Sequence, residues 1–169
     1  MNIMGIAGYS GSGKTTLVVR LIPEIRRRGL TVSTVKHTHH NVSIDEKGSL
    51  TRRLRDAGAI DVVVAAMDHW ALMHEHRGAP EPSLEELAAR MKPVDTLLVE
   101  GFKTHHHHKI EVHRPAADTP LLCADDPYII AIASDAPIAG EAPRQAAGLP
   151  RLDLNNIPSI CDFIIERMR

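Results

Sequence analysis

Apolar residues along the chain fall into short unbroken runs separated by stretches of helical spacing, and that alternation sets the expected architecture. Ile3 to Ala7 is a continuous apolar run of the kind a buried strand requires. From Lys14 to Arg28 the residues Leu17, Leu21 and Ile25 recur on one face, which predicts an amphipathic helix. Its basic end, Arg26-Arg27-Arg28, suits the C-terminus of a helix dipole, and Gly29 supplies the stop. Leu30 to Val35 reads as a second strand and Arg52 to Ala59 as a short helix closed by Gly58. Ile60 to Ala66 is another buried run, with His69 to His74 as its hairpin partner across a tight turn at Asp68. Ser83-x-x-Glu86 is a capping-box pattern that opens a helix running to Met91. Val94 to Val99, Ile110 to His113 and Tyr128 to Ala133 read as further strands. A terminal helix starts at Asn156 or Ser159 and carries Ile160, Phe163, Ile164 and Met168 on one face. Pro137 to Pro150 is rich in Pro, Gly and Ala and reads as a surface connection, and there is no internal repeat. Strands alternating with helices predict an α/β fold, a mostly parallel sheet with helices on both faces, in a single domain over residues 1–169.

Composition narrows the setting. At 169 residues the chain can bury a core without covalent staples. The 20 Lys+Arg and 21 Asp+Glu nearly cancel, which removes the electrostatic case for nucleic acid as a partner. Cys123 and Cys161 lie far apart and form no C-x-x-C pair. No run approaches the ~20 apolar residues of a membrane span, and the first apolar segment is too short for a signal peptide. The expectation is a soluble cytoplasmic protein.

Chemistry enters directly after the first strand. Gly8-Tyr9-Ser10-Gly11-Ser12-Gly13-Lys14-Thr15 is an unbroken G-x-x-x-x-G-K-[ST] phosphate loop, set between a strand and a helix as the motif requires. Gly8, Gly11 and Gly13 let the backbone curl, so that N–H groups from Ser10 to Thr16 can surround phosphate oxygens. The helix beneath adds unpaired donors and the positive end of its dipole. Lys14 is expected on the β- and γ-phosphates of a nucleoside triphosphate, and Thr15 on Mg²⁺. Glu100 ends the run Val94 to Val99 and so stands at the ligand edge of a parallel sheet, where an acid completes the metal site. Gly101 beside it allows close backbone approach to a γ-phosphate. Lys36, in Lys36-His37-Thr38-His39-His40, brings a cation to the same edge. The histidines there read either as a polar strand-end loop or as ligands for a metal or an anion.

Several motifs now stand in a fixed order. They are Gly8 to Thr16, Val35-Lys36-His37-Thr38-His39-His40, Arg55-x-Ala57-Gly58-Ala59, Trp70-Ala71-Leu72, Leu98-Val99-Glu100-Gly101-Phe102-Lys103, Lys109 to Arg114, and Asp125-Asp126-Pro127. Together they resemble the MobB proteins, GTP-binding adaptors of molybdopterin-guanine dinucleotide biosynthesis, over nearly the whole chain. The resemblance implies a P-loop NTPase domain, a homodimer, and GTP with Mg²⁺ hydrolysed weakly. It implies as partners a MobA-type guanylyltransferase and the molybdopterin cofactor or its carrier. It assigns Thr15, Asp45 and Glu100 to the metal and Lys14 and Glu100 to hydrolysis.

The chain also departs from that pattern. Ser49-Leu50-Thr51 replaces a Lys-Asp-Ser element, and no Asn-Lys-x-Asp guanine signature is present. Asp135, after a strand on the ligand edge, is the substitute acceptor for guanine N1–H and N2–H₂. The run His105-His106-His107-His108 reads as a histidine-rich variable loop or, alternatively, as a divalent-metal site. The second reading would make the protein a P-loop GTPase metallochaperone. A small-molecule or nucleotide kinase is a further alternative. Its only candidate Arg cluster, Arg52-Arg53-Arg55, reads as a solvated helix face.

Overall fold

The computed structural model describes residues 1–38, 44–102, 105–138 and 146–167. His39, His40, much of the Pro137 to Pro150 connection, Lys103 and Met168 lie outside the described residues. The chain divides into two compact units, Met1–His37 with Lys92–Arg169, and Thr38–Met91.

In the first unit six strands form one sheet in the order β2-β5-β1-β6-β7-β8. They are β1 (Asn2–Ala7), β2 (Val32–Lys36), β5 (Thr96–Glu100), β6 (Lys109–His113), β7 (Ile129–Ser134) and β8 (Arg151–Asp153). Every pairing in it is parallel. All six strands therefore end on the same edge, and the loops that leave them converge there.

One face of this sheet is apolar. Met4 and Ile6, Leu98, Ile110 and Val112, and Ala131 and Ala133 meet helices α1 (Lys14–Arg27) and α4 (Ile157–Glu166) in a single core. Leu17, Val18, Leu21 and Ile25 from α1 and Ile157, Ile160, Cys161 and Ile164 from α4 complete it, so the helical spacing seen in the sequence is the buried stripe. The α1 helix stops as its sequence dictates. Gly29 takes φ +79°, its N–H reaches Arg26 O, and Leu30 N–H reaches Ile25 O, which together close a Schellman motif. Asn156 resolves the start of α4 by capping Ser159 N–H.

The other face of β6 carries charge. Lys109 and Glu111 alternate with Ile110 and Val112 and are both buried. Glu111 accepts the backbone N–H of Leu122 (2.7 Å) and Cys123 (3.0 Å), and Lys109 donates to Asp126 at 2.9 Å. Those bonds offset the cost of placing two charges inside. Leu121, Cys123, Ile129, Ile132 and Ala146 form a second, smaller cluster. The 3₁₀ turn Leu122–Ala124 belongs to this covering layer.

The second unit contains α2 (Leu50–Asp56), the antiparallel hairpin of β3 (Asp61–Ala65) and β4 (Trp70–His74), and α3 (Leu84–Ala89). The hairpin and the Ser83–Glu86 capping box both form as expected. Ser49 caps α2 by accepting Arg52 N–H, so α2 begins earlier than its apolar pattern indicates. Arg55 corrects the expectation of a solvated arginine face. It is held between Asp45 (3.2 Å) and Glu75 (2.7 Å), while Arg52 pairs with Asp56 on the surface.

Candidate functional site

The phosphate loop is shaped by its glycines. Gly8, Gly11 and Gly13 all take positive φ, at 146°, 76° and 101°. A Cβ on Gly8 would sit 2.6 Å from both Ser12 Oγ and Val112 O, so no side chain fits there. Gly13 is the N-cap of α1 and provides no side-chain cap, leaving the first-turn N–H groups to an anion. Ser12 is buried, and its hydroxyl has no hydrogen-bond partner among the described residues. Ser10, Gly11 and Thr16 are exposed around the curl. The Lys14 ammonium folds back into the loop and donates to Gly8 O at 2.9 Å and Tyr9 O at 2.7 Å.

Beside the loop, three predicted residues from three elements meet. Thr15 Oγ1 donates to the Glu100 carboxylate, 3.0 and 2.9 Å from its two oxygens. Lys36 Nζ lies 3.2 Å from Thr15 Oγ1 and 3.3 Å from Glu100 Oε1. Register explains the meeting, since Lys36 pairs with Glu100 across β2 and β5, and Glu100 pairs with Ile6 of β1. The Lys36 ammonium thus stands as a cation between a hydroxyl and a carboxylate. That is the donor set of an oxygen-ligated Mg²⁺, so these residues fit the metal that a phosphate loop implies.

Other predicted residues have different surroundings. Gly101 takes φ +99°, and a Cβ there would lie 2.8 Å from both His37 Cβ and His37 O. What its missing side chain admits is therefore the His37 backbone. Asp45 belongs to the second unit, where its carboxylate is paired with Arg55. Asp135 follows β7 on the ligand edge and pairs with Arg114.

Two features of the first unit are not legible from local spacing. Arg114 donates from Nε to Ser12 O at 2.9 Å while its Nη1 holds Asp135. In sequence it closes the Lys109 to Arg114 motif, one residue beyond the β6 run, and nothing there names its partners. The histidine run is also packed rather than free. His105 meets the Phe102 ring edge-on, His106 stacks on Tyr128, a Gly5 Cβ would lie 2.6 Å from the His107 ring, and His108 O accepts Gly5 N–H. Among the described residues no group of three His, Cys, Asp or Glu converges on a metal position.

A glycine-built loop after the first strand, a hydroxyl from the following helix and an acid ending the neighbouring strand define a P-loop nucleotide-binding domain. Comparison with known proteins then identifies the branch. The family model described as molybdopterin guanine dinucleotide synthesis protein B, MobB, matches residues 3–135. A molybdopterin-guanine dinucleotide biosynthesis adapter protein from Haemophilus influenzae is 42% identical over 165 residues, spanning 96% of this chain and 86% of its own. Its Escherichia coli counterpart is 38% identical over 170 residues, spanning 99% and 93%. A crystal structure of molybdopterin-guanine biosynthesis protein B superposes with a TM-score of 0.74 at 25% identity, covering 98% of this chain and 99% of that one. The chain belongs to the MobB family.

Proposed function

We propose that this chain is a GTP-binding adaptor in molybdopterin-guanine dinucleotide synthesis, assisting a MobA-type guanylyltransferase and working beside the molybdopterin cofactor or its carrier. The observation that carries the reading is the convergence of Thr15, Lys36 and Glu100 beside an intact phosphate loop, in a chain that belongs to this family. Lys14 exchanges its two loop carbonyls for β- and γ-phosphate oxygens, and the N–H groups at the start of α1 bind the same phosphates. Mg²⁺, held by Thr15 and Glu100, would neutralise charge on the triphosphate. Lys36, beside Thr15 and Glu100, would offset charge as it builds on the terminal phosphate. Hydrolysis is weak, and GTP serves chiefly as a binding partner.

A homodimer fits the second unit. A two-stranded hairpin is marginal alone. This one exposes Val63, Val64, Met67, Trp70 and Leu72, apolar surface that a second copy would cover.

The test is titration of purified protein with GTP and ATP, followed by capture of the guanylyltransferase. Tighter GTP than ATP and retention of the guanylyltransferase support the reading, whereas ATP preference points to a kinase. Lys14→Ala should weaken GTP binding by about 2–4 kcal/mol, since it removes the loop's own cation. Unchanged affinity in that variant would sink the phosphate-loop assignment.

A further inference from the structure

We propose that Arg114 is a positioning residue that joins the base acceptor to the phosphate loop, and that it sets the preference of this site for guanine nucleotides. The proposal rests on the GTP reading above and on Asp135 as the residue that meets the base.

Sheet register brings the three parts together. His113 pairs with Ser134, so Arg114 and Asp135 leave the ligand edge side by side. Ala7 pairs with Glu111 on the other flank of β6, so the phosphate loop leaves the same edge next to Arg114. The guanidinium spans the gap. Nε donates to Ser12 O at 2.9 Å, Nη1 binds Asp135 Oδ2, and Nη2 would lie 3.2 Å from a Cβ on Gly13. The planar group therefore lies against the last glycine of the loop, at the N-terminus of α1.

The chemistry follows from the fork. Guanidinium nitrogens are rigidly spaced, so fixing one end on Ser12 O fixes where the other end can hold a carboxylate. Ionised Asp135 only accepts hydrogen bonds. Guanine offers it two donors on one edge, N1–H and N2–H₂, whereas adenine presents a bare N1 acceptor at the same place. The discrimination works only if the carboxylate stands at a set distance from the phosphates, because the nucleotide has a set length. Arg114 supplies that distance. A lysine keeps the charge but has no fork, and cannot hold Ser12 O and Asp135 in one fixed geometry.

The experiment titrates the full chain with GTP, GDP and ATP in Mg²⁺ by calorimetry. It compares wild type, Arg114→Ala, Arg114→Lys, Asp135→Ala and the Arg114→Ala/Asp135→Ala double variant, with folding followed by circular dichroism. Arg114→Ala is expected to weaken GTP and GDP by the same factor, about ten-fold, the scale of one charge-assisted contact, and to leave ATP almost unchanged. Arg114→Lys should not restore the loss, and it carries the test if the alanine variant fails to fold. In the Asp135→Ala background the Arg114 substitution should cost less than two-fold, because the two act as one unit. Equal losses for GTP and ATP, a loss confined to GTP over GDP, or full additivity of the two substitutions would each overturn the assignment. A wild type that binds GTP no better than ATP is a separate failure, which removes the guanine reading itself together with this proposal.

Discussion

Glu100 shows how much a single residue reveals through its place in the sequence, and where that stops. An acid that ends an apolar strand is common, and only the phosphate loop earlier in the chain gives this one a role. Its carboxylate is met by Thr15 from α1 and by Lys36 from β2. Glu100→Gln keeps the shape and a hydrogen bond to Thr15 but removes the charge that holds a cation. Hydrolysis of GTP should fall ten-fold or more, roughly 1.4 kcal/mol or above, while GDP affinity barely moves. Single-turnover hydrolysis and GDP titration on the same preparation test this, and equal losses in both would make Glu100 structural. Arg114 is the opposite case. Its partners, Ser12 and Asp135, lie 102 and 21 residues away in sequence, so the local motif that it closes does not reveal them. Local spacing misleads at the arginines of α2 for the same reason, since it cannot show that Arg55 finds Glu75, one residue past the end of β4.

Among the elements, the legible ones are those that local chemistry decides. Gly29 ends α1 because it takes the left-handed turn without strain, and Ser83 starts α3 through a cap four residues long. The strand β8 has no such signature. It is three residues, Arg151-Leu152-Asp153, with no apolar run, and exists because β7 offers it a free edge. The starts of β2 and β5 are joined by a clasp that is equally non-local. Thr31 N–H and Oγ1 donate to Asp95 Oδ2 at 2.8 and 2.6 Å, and Asp95 N–H returns a bond to Thr31 Oγ1 at 2.9 Å. The Thr31 hydroxyl, then its N–H, hold the Asp95 carboxyl below its ordinary range. A depressed carboxyl stabilises the fold fully above its unfolded value, about 3.9, and the contribution is lost as pH falls through the lower folded value. Asp95→Asn should therefore lower Tm at pH 7 and at pH 5, with the gap to wild type closing below pH ~4. Thermal melts at pH 7, 5 and 3 measure it; a gap that persists undiminished at pH 3 would show that the charge contributes nothing.

For the molecule as a whole the open apolar hairpin makes the sharpest demand. If a second copy covers Trp70 and Leu72, Trp70→Glu places a charge where desolvation is costly, and the dimer should dissociate to monomer at micromolar concentration. Sedimentation velocity reads the state directly, and an unchanged dimer would move the interface elsewhere. Local sequence suffices for the P-loop α/β class, the phosphate loop, most strands, and the core faces of α1 and α4. Each of these depends on residues within a few positions of one another, whose spacing fixes both backbone conformation and the side that turns inward. Long-range packing had to supply the strand order β2-β5-β1-β6-β7-β8, the burial of Lys109 and Glu111 on β6, and the packing of the histidine run. It also joins Arg114 to Asp135 and Ser12, and Lys36 to Thr15 and Glu100. Those pairings depend on which parallel strand lies beside which. That choice is made by burial summed over the whole sheet, and no window of sequence contains it.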